Sequence, residues 1–247
     1  MQQSKQSNFL GDFVELTATD GHVFKAYVAL PQGEWAAHPQ GAVVVLQEIF
    51  GVNTHIREVA DGFARAGFLA VAPATFSRVK ADMDLGYSAE DMQEGFGYKQ
   101  AVDELPAPGV MADIQAAVDY AHLGAAGSGP LKVGIVGYCW GGVLTWRAAA
   151  LVKGLSAAVT YYGGGMTSPE EAARQAQVPV MSHFAEQDHY ISMPSVAEFT
   201  KAQPQVQVFT YAADHGFNCN HRAAGNEAAA KPALARTLAF FEEKLAA

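Results

Sequence analysis

Leu131–Gly142 reads LKVGIVGYCWGG, and the fold follows from it. Val133–Val136 is an apolar run of the kind found in a strand buried on both faces. It stops at Gly137-Tyr138-Cys139-Trp140-Gly141, and Val143–Ala150 then reads as a helix. Strand, Gly-x-Cys-x-Gly, helix is the context of a nucleophile elbow, with cysteine where serine usually stands. Such a turn is so tight that its glycines must avoid neighbouring backbone and its central residue is strained. It would lift Cys139 clear of the sheet edge, at a helix start that favours a thiolate. The alternative is a buried structural cysteine in a glycine-rich turn, a common place for a free thiol.

Working outward, the same alternation recurs. Phe13–Thr19 and Val23–Leu30 flank Asp20-Gly21, a hairpin signal. Ala42–Leu46 is a second unbroken apolar run, ending in Gln47-Glu48-Ile49-Phe50-Gly51. Asn53 or Thr54 would cap a helix that carries Ile56, Val59, Ala60 and Phe63 and ends at Gly67. Phe68–Ala72 is a short strand. Pro73–Asp103 reads as a long loop with one helix near its end, and long excursions of this kind are often binding loops. Val110, Ile114, Ala117, Val118 and Ala121 form a helical stripe. Beyond the elbow, strands are expected at Ala157–Tyr162, Val178–Phe184 and Val206–Tyr211. Helices are expected at Val196–Ala202 and along Leu234, Leu238, Phe241 and Leu245. Strands alternating with helices imply a mostly parallel α/β sheet with helices on both faces and an N-terminal β-hairpin. With no repeat or linker, residues 1–247 read as a single domain.

Composition narrows the function. The chain of 247 residues is half apolar and carries a net charge of −9. That charge argues against a nucleic-acid partner, which needs clustered Lys and Arg, while leaving a small anionic substrate open. The N-terminus has no apolar signal core, and no apolar run has membrane-spanning length. A cytoplasmic protein with two free thiols, Cys139 and Cys219, is expected, with no membrane partner. There is no Cys-x-x-Cys and no histidine pair at helical ligand spacing, so neither a metal nor another cofactor is expected.

Ligands of open α/β sheets sit at the carboxyl ends of the strands. Glu48, Cys139, Asp188 and His215 all fall at or just after such ends. The order Cys139, Asp188, His215 is nucleophile, acid, histidine, as in α/β-hydrolases. His215 would accept the thiol proton and later activate water, and Asp188 would hold the imidazole tautomer. The N–H groups of Trp140 and Ile49 are the candidate oxyanion donors. His189 precedes the last strand and is not the base expected. His183, inside an apolar strand, reads as a core histidine, and Asp214 adjoins His215 too closely to serve it. Glu48 beside a thiolate is unfavourable by like charge, so a role is expected of it: keeping the thiol protonated at rest or accepting its proton.

The chain resembles the dienelactone hydrolase family (carboxymethylenebutenolidases) from about Asp12 to Leu245. The resemblance rests on Gln47–Gly51, Gly137–Gly142, Tyr161-Tyr162-Gly163, Asp188-His189 and His215-Gly216-Phe217. It implies an α/β-hydrolase fold, a Cys139–His215–Asp188 triad, and a Glu48 that pairs with the resting thiol and swings away when substrate binds. It implies hydrolysis of dienelactone to maleylacetate, with Arg78 anchoring the substrate carboxylate and Tyr162 at the binding site. Family members good at that reaction carry a second arginine four residues after the catalytic histidine. Cys219 stands there in this chain, and Arg222, three residues on, is the candidate replacement. Two other readings share these residues: a hydrolase of another small activated ester or thioester, and a non-catalytic thiol protein that senses oxidants. A monomer or small homo-oligomer is expected.

Overall fold

The computed structural model describes residues 9–124 and 129–246. Among them one eight-stranded sheet runs through the molecule. Its strands are β1 (Asp12–Thr17), β2 (Val23–Ala29), β3 (Ala42–Leu46), β4 (Leu69–Pro73), β5 (Val133–Tyr138), β6 (Leu155–Tyr161), β7 (Val180–Ala185) and β8 (Gln207–Tyr211). The order across the sheet is β1-β2-β4-β3-β5-β6-β7-β8. The first two strands form the expected hairpin around Asp20-Gly21, and β2 pairs antiparallel with β4. From β4 onward every pairing is parallel. This is the α/β-hydrolase class of fold expected of the sequence.

The helices are α1 (Thr54–Arg65), α2 (Ala89–Asp103), α3 (Val110–Leu123), α4 (Trp140–Leu151), α5 (Pro169–Ala172), α6 (Met193–Ala202) and α7 (Glu227–Leu245). Every residue of β3, β4, β5 and β7 is buried, so both sheet faces are covered. Helices α1 and α7 meet through Phe63 and Phe241, whose ring centroids lie 6.0 Å apart. The stripe predicted for α3 is buried in full. Asn53 caps α1 by accepting the Ile56 N–H at 3.3 Å. No helix among the described residues is long and apolar enough to cross a membrane.

The helix expected near the end of the 73–103 excursion is present, and two other local expectations change. It is the fifteen-residue α2, begun by a capping box between Ser88 and Asp91. Only Gly95 and Val102 of α2 are buried, so no apolar stripe marked its extent. In α7 the inward face is Ala229, Ala233, Thr237, Phe240, Phe241 and Leu245, whereas Leu234 is exposed. Small residues let this helix sit close to the sheet, which shifts its buried face away from Leu234. The short helix α5 had no counterpart in the sequence reading.

Candidate active site

Five adjacent strands, β3, β5, β6, β7 and β8, deliver Glu48, Cys139, Tyr162, Asp188 and His215 from their carboxyl ends. The sheet register therefore gathers residues that are far apart in sequence.

The elbow forms as its sequence requires. Cys139 has φ 54° and ψ −117°, a region that strains any residue but glycine, and α4 begins at the next residue. A side-chain carbon at Gly141 would lie 2.4 Å from the Gln47 carbonyl oxygen and 2.5 Å from that of Leu46. Glycine is thus what lets α4 start directly against the end of β3. The Trp140 N–H opens the first turn of α4, where backbone donors have no intrahelical acceptor. Its indole stacks on Phe76 at 4.9 Å and donates to Asp103 Oδ1 at 3.3 Å, tying α4 to the end of α2.

Asp188 is held by its own loop. Its Oδ1 accepts the N–H groups of Tyr190 at 2.8 Å and Ile191 at 3.2 Å, as aspartates do in turns. The loops after β7 and β8 are joined by the Glu186 N–H to the Tyr211 carbonyl and the Gln187 N–H to the Ala213 carbonyl. This leaves Asp188 Oδ2 2.7 Å from His215 Nδ1. The imidazole then faces the Cys139 thiol. Burial works against a charged ring, but the Cys139 thiolate and Asp188 outweigh it and raise His215 to about 10.

Asp214 accepts the His215 backbone N–H at 2.7 Å and does not hold the ring. His189 is exposed, with its Nε2 3.9 Å from Asp214. His183 is buried, bonded to the Tyr211 hydroxyl at 2.9 Å and to Thr237 Oγ1 at 3.1 Å, as a core histidine should be.

Glu48 is fully buried. Its Oε1 accepts from Arg222 Nη1 at 3.3 Å, and its Oε2 has no hydrogen-bond partner among the described residues. Burial raises its pKa, against the opposing charges of Arg222 and His215. The Glu48–Cys139 pairing implied by the family is not formed here, because the carboxylate is turned to Arg222. That guanidinium also lies over the rings of Phe50 and Tyr87, at 5.5 and 5.9 Å. Cys219 donates to the Tyr87 hydroxyl at 3.3 Å, and burial pushes its thiol up to about 11.

A cavity of about 310 Å³ opens onto Cys139 and is lined also by Ile49, Trp140, His215, Phe96, Lys99 and Tyr190. Both candidate oxyanion residues thus border the thiol. Helix α2 forms one wall and rests on the loop that carries Ile49: a side-chain carbon at Gly95 would lie 2.2 Å from the Ile49 carbonyl oxygen. A larger cavity of about 620 Å³ lies beside α1 and α7, lined by Arg222, Tyr138 and His55 among others, and does not include Cys139.

The three expected substrate contacts are placed otherwise. Arg78 makes a two-pronged bond to buried Asp113, at 2.8 Å through both Nε and Nη2, and a further ion pair with Asp20 at 2.8 Å. With two carboxylates on it and no part in the Cys139 cavity, it is a structural clamp between the hairpin turn and α3. Tyr162 is fully buried, its ring 5.1 Å from both His215 and Phe217. Arg222 reaches the larger cavity and Glu48, not the cavity over Cys139. The sequence reading missed Phe96, Lys99 and Tyr190. Tyr190 had a visible signal, two residues from Asp188, whereas the α2 pair became readable only once the helix was placed.

A family model described as the dienelactone hydrolase family matches residues 24–245. The chain belongs to that family. A carboxymethylenebutenolidase from Pseudomonas putida is 35% identical over 215 residues, covering 84% of this chain and 86% of the relative. A solved structure from Klebsiella pneumoniae, described as a candidate dienelactone hydrolase, superposes with a TM-score of 0.76 at 30% identity. It covers 93% of this chain and 98% of that one. A dienelactone hydrolase-like promiscuous phosphotriesterase from metagenomic libraries shares the fold at 23% identity, with a TM-score of 0.71. Its alignment covers 96% of this chain and 99% of that one. As a member of the dienelactone hydrolase family, the chain is a hydrolase acting on ester or lactone bonds.

Proposed function

We propose that this protein is a cysteine-dependent hydrolase of a small carboxylated enol lactone, converting dienelactone to maleylacetate. The observation that carries the reading is Cys139 at a strained elbow, facing a His215 that Asp188 holds at 2.7 Å. His215 takes the thiol proton. The thiolate Sγ then bonds to the lactone carbonyl carbon, and the carbonyl electron pair moves to oxygen, met by the Trp140 and Ile49 N–H groups. Collapse breaks the ring C–O bond and expels an enolate. The enolate takes the proton that His215 holds and becomes a ketone, which leaves His215 neutral again; such a leaving group needs less help than an amine. Water then attacks the thioester while His215 takes its proton, releasing the carboxylate product and the thiolate. Glu48, held on Arg222, leaves the thiol free to pair with His215.

Lys99 is the cation at the wall of the Cys139 cavity, with Asp103 Oδ2 2.7 Å from its ammonium. It takes the anchoring role that Arg78 does not fill. Because that charge is already shared, a second reading has support: the same triad acting on another small activated ester or thioester.

The test is ultraviolet absorbance of dienelactone with wild type and Cys139→Ala under reducing conditions. Turnover in the wild type that is lost in the variant supports both mechanism and substrate. Turnover of small activated esters but not of dienelactone supports the second reading. An inert protein that reversibly oxidises Cys139 would refute both and leave a thiol sensor.

A further inference from the structure

We propose that His55, Glu58 and His221 form a binding site for a zinc-class divalent cation, beside the larger cavity and apart from the cavity over Cys139. His55 and Glu58 are three residues apart on α1, so their side chains are neighbours on one helix face. His221 comes from the loop after β8 and brings its Nε2 to 2.7 Å from Glu58 Oε2. One ligand atom of each residue lies within 4.8 Å of the other two. Bound zinc ligands sit about 3.3 Å apart at metal–ligand distances of about 2.0–2.2 Å. Small side-chain rotations therefore close the set.

An exposed histidine–glutamate contact by itself is ordinary. The decisive observation is His55. It is 3% exposed, and its Nε2 has no hydrogen-bond partner among the described residues. A buried polar nitrogen without a partner is costly, and native structures rarely leave one. A metal ion would take the lone pair of that unpartnered nitrogen. Two imidazoles and a carboxylate suit zinc and its neighbours better than calcium or magnesium, which take oxygen ligands. Glu58 and His221 are partly exposed and give an ion a way in.

Glu48, His55 and Cys219 also gather their ligand atoms. That inner set is disfavoured, because Arg222 stands against Glu48 and the Cys219 thiol is hard to ionise. The sequence reading expected no metal because it looked for histidine pairs on one helix. Here the partners are Glu58 and His221, 163 positions apart. An ion bound there would fasten α1 to the loop that carries Cys219 and Arg222.

The experiment is calorimetric titration of the metal-free, reduced full chain with Zn²⁺, and absorbance titration with Co²⁺. One equivalent should bind, and the Co²⁺ complex should lack a thiolate charge-transfer band. His221→Ala and Glu58→Gln should each weaken binding about tenfold or more. Cys139→Ala and Cys219→Ser should bind as the wild type does. No binding by the wild type, unchanged affinity in His221→Ala with its fold intact by circular dichroism, or loss of binding in Cys219→Ser would each overturn the proposal.

Discussion

Replacing Cys139 by glycine is expected to leave a more stable protein than replacing it by alanine. Both changes remove the thiol and its charge coupling to His215, so comparing the two cancels those effects and isolates the backbone. At φ 54° and ψ −117° a residue with a Cβ is strained. Such a conformation costs about 1–3 kcal/mol. Glycine escapes that cost but ordinarily gives up about 0.5–1 kcal/mol relative to alanine through its freer unfolded chain. The balance favours glycine by about 1 kcal/mol, opposite in sign to the usual exchange. For a chain of this length that is about 2–4 °C in melting temperature. Urea unfolding of the two variants under reducing conditions, checked for equal m-values, measures it directly. An alanine variant as stable as the glycine variant, or more so, would show that the Cβ is not strained at the elbow and would remove the argument for a forced nucleophile.

Two further substitutions test the groups behind the thiol. Asp188→Asn should lower kcat by roughly two to four orders of magnitude on whichever ester is turned over, with an unchanged circular dichroism spectrum, because the imidazole loses the acceptor that fixes its tautomer; an unchanged kcat would take Asp188 out of the triad. Glu48→Gln should flatten the dependence of stability on pH. Burial raises the native pKa of Glu48 above its unfolded value of about 4.3, so the folded chain binds that proton more tightly. Stability therefore falls as pH rises from there through the native pKa. Urea midpoints across the mildly acidic range should show this slope in the wild type and less of it in the variant. Equal slopes would mean that Glu48 titrates alike in both states.

The parts of this fold that the sequence announced are those set by continuous burial. β3 and β5 are apolar runs because both sheet faces are covered, and Asn53 marks the start of α1 by a local hydrogen bond. The places of Cys139, Asp188 and His215 were legible because strand ends are legible, and the sheet brings the three together. A helix near the end of the 73–103 excursion was expected, but the extent of α2 was not legible, because it lies on the surface over the cavity and buries almost nothing. Its capping box, Ser88 with Asp91, was the one local sign of where it starts. Arg78 shows a different limit. Asp20 and Asp113, which neutralise it, lie 58 residues before and 35 residues after it, and nothing near Arg78 in the chain says that they will meet it. Arg222 shows the converse: it was singled out as a replacement anchor for substrate, and it reaches Glu48 instead.

The contact between Gly95 and the Ile49 carbonyl has a consequence for how this enzyme can change. Helix α2 does two jobs from neighbouring positions. Gly95 seats the helix on the loop that carries Ile49, the proposed oxyanion donor, while Phe96 and Lys99 line the cavity. Substitutions at Phe96 and Lys99 can therefore alter which molecules are admitted while the strand ends and their chemistry stay where they are. A substitution at Gly95 pushes the wall off its seat and disturbs both jobs at once. New substrate preferences are thus open to mutation on the cavity side of one helix, next to a position that has no freedom to drift.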